Sequence, residues 1–190
     1  MSSSHFNRGL LGHDMVVMQQ ITAFMANDFE LLSADGSVIG RLAGTDSDGS
    51  RFLAGPRKFE LREPDGTPLL IIDDVPDFGL DTFELRTPDG GYAATLTKQL
   101  TFFRNRVSIK AADGSTLDLE GEIFDYTFEI VDQGAVVATI SREWAGISRS
   151  LLGHSRYVVS FDPTVATDRR LLILGAVVAL DLIRMKQRRA

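Results

Sequence analysis

The sequence predicts a mainly β protein, a closed antiparallel barrel of about twelve strands around a central, apolar C-terminal helix, with residues 1–190 forming one domain. Three observations predict it. A strand-and-turn pattern recurs five times, a return strand follows every turn, and the last apolar segment has no polar side to show to water.

The recurring unit is read directly off the chain: Phe29-Glu-Leu-Leu-Ser-Ala-Asp35-Gly36, Phe59-Glu-Leu-Arg-Glu-Pro-Asp65-Gly66 and Phe83-Glu-Leu-Arg-Thr-Pro-Asp89-Gly90. Val107-Ser-Ile-Lys-Ala-Ala-Asp113-Gly114 repeats it, and Phe128-Glu-Ile-Val-Asp-Gln-Gly134 is a shortened copy. The copies start 30, 24, 24 and 21 residues apart, the length of a hairpin plus its connection. Apolar residues at the first and third positions alternate with polar ones at the second and fourth, so each copy opens as a half-buried strand. Pro64 and Pro88 preset φ, and the glycines after Asp take the positive φ that closes a type I turn with a G1 bulge.

Return strands follow at Ser37 to Leu42, Thr67 to Ile72, Tyr92 to Leu96, Ser115 to Leu119 and Ala135 to Ile140. Five hairpins make ten strands. Met15 to Met18 and Tyr157 to Phe161 add one each. Sheets of that size seldom stay open and flat, and closure removes their edges, although hairpins alone also fit a two-sheet sandwich.

The last segment favours the barrel. From Leu171 to Leu180 every residue is apolar or Gly, and a helix over 168–187 is apolar all round, with Leu171, Leu174, Val177, Val178, Leu180 and Asp181 as its core positions. Thr167 or Asp168 caps its start. The unbroken run is 10 residues where a membrane span needs about 20. Extending it takes in Arg169, Arg170, Asp181, Arg184 and Lys186, at roughly 2.5–3.5 kcal/mol for each charge at mid-membrane. Exposure is excluded as well, since about ten such side chains are worth on the order of 15–30 kcal/mol when buried. A barrel of about twelve strands has a lumen wider than its own side chains fill, so helix and barrel complete each other.

Net charge is −6, unevenly placed: from Asp168 onward six basic residues face two acidic ones, leaving 14 basic against 24 acidic before it. An acidic body of about −10 repels phosphate backbones and excludes nucleic acid as the expected partner. Zero Cys removes thiol catalysis and thiolate metal sites and fits a reducing cytosol. Residues 1–14 read as a flexible N-terminus without the apolar stretch of a signal peptide.

Several passages resemble one family. Asn7-Arg-Gly-Leu10 followed by Val16-Val-Met-Gln-Gln20 resembles the opening strand of LURP-one-related and phospholipid scramblase proteins, which share the tubby-like fold. The run from Phe128 through Ala138-Thr-Ile140 to Trp144-Ala-Gly146 is similar to their penultimate hairpin. Tyr157 to Phe161 and Ala176-Val-Val-Ala-Leu-Asp181 look like their last strand and central helix. The resemblance implies a tubby-like barrel with a phospholipid-binding or lipid-scrambling role, cytoplasmic and peripherally membrane-associated. The chain departs from animal-type scramblases in having scattered Pro, no Cys, and only Asp162 and Asp168 in place of an acidic calcium segment before Leu171.

Candidate sites are few. Arg184, Lys186, Arg188 and Arg189 form a basic cluster that either meets anionic phospholipid or simply suits the negative end of the helix dipole, with Arg169 and Arg170 at the other end. Asp46-Ser-Asp48-Gly49-Ser50 matches part of a calcium loop, but Gly44 and Gly55 stand where carboxylates are required. Asp73, Asp74, Asp77 and Asp81 read as a polar loop, and Asp77-Phe-Gly79 as a chance triplet. His5, His13 and His154 have no ligand spacing. Trp144 is a barrel-rim aromatic or a membrane anchor. Asp181 is a functional carboxylate or a hydrogen-bonded one at a barrel mouth. No catalytic constellation, metal or cofactor is expected. The functional expectation is a non-enzymatic lipid-associated barrel; the alternative is a soluble intracellular scaffold or small-ligand-binding barrel with no membrane role.

Overall fold

A computed structural model describes residues 9–23, 26–45, 58–75, 82–100, 105–122, 127–141 and 156–189, without the side chains of 20–23, 26–28, 99–100, 105–106, 122, 156 and 184–189. A 3-10 turn over Leu10–Gly12 leads into β1 (Met15–Ala23), β2 (Ala26–Leu32), β3 (Val38–Gly44), β4 (Lys58–Arg62), β5 (Pro68–Val75) and β6 (Thr82–Arg86). Then come β7 (Tyr92–Leu100), β8 (Asn105–Ala111), β9 (Thr116–Glu122), β10 (Thr127–Asp132), β11 (Ala135–Ser141), β12 (Arg156–Phe161) and a helix, α1 (Thr167–Arg189).

Each strand pairs antiparallel with its successor, and β12 returns to β1, where Met15 faces Ser160 and Val17 faces Val158. The ring is closed, as expected from the sequence. Its register follows from the repeat. First positions Phe29, Phe59, Phe83, Val107 and Phe128 lie opposite Leu42, Ile72, Leu96, Leu119 and Ile140. All ten are buried, which places one apolar layer across five hairpins. Third positions Leu31, Leu61, Leu85, Ile109 and Ile130 make a second layer.

The hairpin turns have the form their residues dictate. In the Asp35–Gly36 turn the Gly36 N–H donates to Ser33 O (3.0 Å) and the Ser33 N–H to Ser37 O (2.9 Å), with Gly36 at φ +85°. The same two bonds recur around Gly66, Gly90 and Gly114. Pairing slips between Leu31 and Leu32, Leu61 and Arg62, and Leu85 and Arg86, the bulge expected of this turn.

Helix α1 fills the lumen. Every residue from Leu172 to Ile183 is buried, and Leu174, Val177 and Val178 are wholly so. Leu180 is buried and Leu171 half-buried against the same core. Among the strands, β5, β6 and β7 come closest to the helix backbone. Gly175 allows that approach, because a Cβ there would stand 2.5 Å from Leu70 Cδ2 and 3.1 Å from Leu85 Cδ1. Gly175→Ala is expected to lower stability by about 1 kcal/mol: overpacking at about 1–3 kcal/mol outweighs about 1 kcal/mol of helix propensity. Urea unfolding of G175A checks this, and a gain in stability would show that the packing there is loose.

Several boundaries differ from the sequence reading, for tertiary reasons. Helix α1 spans 167–189 rather than 168–187. Asp73 and Asp74 belong to β5 instead of a loop, since Asp73 lies opposite Lys58 and Glu84 and Asp74 opposite Phe83 in the neighbouring strands, and Lys58 Nζ sits 3.6 Å from Asp73 Oδ2. Within 1–14, read as a flexible N-terminus, residues 9–14 are tied down. Leu10 is wholly buried, and its N–H donates to both Glu63 carboxylate oxygens at 3.1 and 2.9 Å. The unbroken apolar runs Val16-Val17-Met18 and Tyr157-Val158-Val159 also have a cause: Val17 and Val158 form a second, smaller cluster with Leu32 on the opposite face of the wall.

Candidate functional site

Strand parity sorts the connections between the two barrel ends. The five tight turns join β2 to β3, β4 to β5, β6 to β7, β8 to β9 and β10 to β11, all at one end. Residues 9–14 and the start of α1 share this turn end. The remaining connections join strands at the opposite end, toward which α1 runs for about 34 Å at 1.5 Å per residue.

The turn end is acidic and locked. Asp35 is lowered to about 2, first by the Ser33 hydroxyl, then by the Ser37 N–H and hydroxyl. Asp65 is lowered chiefly by the Thr67 N–H, Asp89 by the Thr87 hydroxyl, and Asp113 by the Ser115 hydroxyl and N–H with a further contribution from Arg169. Asp162 is held down by Thr164, hydroxyl first, and then by Arg170. Asp168, in the first turn of α1, accepts from the Arg169 N–H at 2.9 Å and stands at the positive end of the dipole.

The two arginines at the helix start are committed to the chain itself. Arg169 pairs with Asp113 at 3.0 Å and approaches Asp132 at 3.8 Å. Arg170 is 6 % exposed. Its guanidinium donates to Asp14 Oδ1 (2.7 Å), to the carbonyls of Val165 and His13 (both 3.0 Å), and more distantly to those of Leu11 and Pro163 (both 3.4 Å). It also lies over the Phe161 ring at 5.2 Å. These contacts fasten the N-terminal turn, the last strand and the helix start together. Arg169 and Arg170 therefore do not join the basic cluster as lipid-facing residues.

Arg184, Lys186, Arg188 and Arg189 continue α1 past Ile183, the last described buried residue of the helix; their side chains lie outside the described ones. Asp181 sits one turn earlier, 8 % exposed and hydrogen-bonded or paired within the molecule. Lys98, which sequence reasoning missed, is 4 % exposed on β7 and likewise partnered. Its phase was the available signal, since it falls in step with the inward Ala94 and Leu96.

His13 is half-buried, and its carbonyl serves Arg170. Asp46 to Ser50, Asp77 to Gly79, Asp81, His5, His154 and Trp144 lie outside the described residues. Among the described residues, no three His, Asp or Glu side chains are placed to hold a metal ion, and no helix is long and apolar enough to cross a membrane.

Comparisons with known proteins agree with this architecture. No curated protein matches the chain. An X-ray structure of a protein from Arabidopsis thaliana is similar with a TM-score of 0.59 at 14 % identity, covering 89 % of this chain and 91 % of that one, a likeness of fold. A family model described as LURP-one-related matches residues 13–181, from the residue before Asp14 and β1 through the buried Asp181. That stretch takes in the whole barrel and most of the enclosed part of its helix, and the chain belongs to the LURP-one-related family.

Proposed function

We propose that this protein is a non-enzymatic barrel that associates peripherally with anionic phospholipid through the basic end of its helix. The observation that supports this reading is the division of charge along α1. Its apolar part is buried through Ile183, and four basic residues follow in the last turns, at the end opposite the acidic hairpin turns. Each basic residue near an anionic leaflet is worth about 1 kcal/mol, so four favour a reversible, salt-sensitive attachment rather than insertion.

Flotation with vesicles containing phosphatidylserine is expected to recover the protein at low salt and lose it at about 0.5 M salt, with no recovery on phosphatidylcholine alone. Replacing Arg184, Lys186, Arg188 and Arg189 together by Gln is expected to weaken binding by about two orders of magnitude or more. Absence of binding to anionic vesicles at low salt would favour the rival, a scaffold or small-ligand barrel with no membrane role. A luminal ligand site is the weaker form of that rival, because α1 occupies the lumen.

A further inference from the structure

Among aspartyl dipeptides, Asp–Gly is the one in which the chain most readily attacks itself: the glycine nitrogen adds to the aspartate Cγ, water leaves, and a succinimide forms. Water then reopens the ring at either carbonyl and returns aspartate or isoaspartate, with no net change in composition. Glycine favours the step because it has no side chain to obstruct it. Four such pairs close hairpins here: Asp35–Gly36, Asp65–Gly66, Asp89–Gly90 and Asp113–Gly114. Asp48–Gly49 lies outside the described residues. Beyond the adjoining residues, no heavy atom stands within 4 Å of where a Cβ would be on any of the four glycines, so bulk from the rest of the molecule does not shield them.

Hydrogen bonding shields them instead. Each glycine N–H, the prospective nucleophile, donates to the carbonyl three residues back, at 3.0, 3.0, 2.8 and 3.0 Å in chain order. The carboxylate is held past that nitrogen, on the N–H two residues ahead: Ser37 at 3.0 Å, Thr67 at 2.9 Å and Ser115 at 2.9 Å, with Gly91 in the same role for Asp89. A hydroxyl adds to each clamp, from Ser33, Thr67, Thr87 or Ser115. Cyclisation requires the glycine nitrogen to lose its proton and the carboxyl to gain one, so that water can leave. The turn opposes both, and all four aspartates are held below the ordinary carboxylate range.

We propose that these four Asp–Gly pairs are isoaspartate sites closed by the turn hydrogen bonds while the barrel is folded and open once it unfolds. Isoaspartate then marks chains that have spent time unfolded, and such chains become substrates for enzymes that methylate isoaspartyl carboxylates.

The test incubates the full chain at pH 6 and 37 °C for several weeks, in buffer and in unfolding urea, with isoaspartate assigned at each site by peptide mass spectrometry. Accumulation at the four sites is expected to be at least about tenfold slower in buffer, and equal rates would overturn the proposal. Thr87→Ala removes one hydroxyl and leaves the backbone bonds, so it is expected to raise the rate at Asp89 about threefold and leave the other three unchanged. A uniform rise or none at Asp89 would overturn the assignment to the clamp. Should that variant fail to fold, the wild-type comparison still decides.

Discussion

Val177→Asp is expected to abolish the folded barrel, with a loss exceeding about 5 kcal/mol, comparable to the whole stability of an ordinary domain. Val177 is wholly buried midway along the enclosed stretch of α1. A carboxylate there gives up its hydration with apolar neighbours on the helix, Leu174, Val178 and Leu180, and burying an uncompensated charge costs more than any gain nearby can offset. The control is Val136→Asp on β11, where the native side chain is 45 % exposed and the change should stay within about 0.5 kcal/mol. Circular dichroism and urea titration of the two variants check this. A cooperative V177D transition near that of the parent would mean that the helix is not enclosed by the strands.

Arg170→Met is expected to cost about 3 kcal/mol and to release residues 9–14. Methionine fills much of the volume over Phe161 but supplies no donors. The carbonyls of Val165 and His13 then lose charged hydrogen bonds, each worth about 1.5–3 kcal/mol, and Asp14 loses its ion pair. Asp14 is 59 % exposed, so solvent screening keeps the pair itself to a small share and the half-buried carbonyl bonds carry most of the loss. Arg170→Lys should recover little, because one ammonium cannot reach carbonyls on the N-terminal turn and at the helix start in the fork geometry of a guanidinium. Hydrogen exchange is expected to show the Gly12 and His13 amides losing protection in R170M while the strand amides of β5 to β9 keep theirs. Unchanged exchange at Gly12 and His13 would show that Leu10 alone anchors the turn.

Strand count, the phase of each strand and the chemistry of the four Asp–Gly hairpin turns are legible in the amino acids alone. Those properties are local: alternation chooses the inward face, and Asp–Gly chooses the turn, as Phe59-Glu-Leu-Arg-Glu-Pro-Asp65-Gly66 shows within eight residues. The sequence also implied the enclosed helix, because an all-apolar face has no other stable place beside a sheet this large. The roles of the charged residues, by contrast, emerge with the folded ring. Arg169 and Arg170 look like surface cations in the sequence, yet their partners Asp113, Asp132 and Asp14 lie from 37 to 156 residues away and meet them because strand parity gathers those segments at one end. Lys98 is polar in composition and buried in fact, since the ladder that continues β7 past Leu96 keeps it in the inward phase. Charge is screened and long-ranged, so its meaning depends on which chain ends the closed ring brings together, whereas hydrophobic phase and turn geometry are settled within a few bonds.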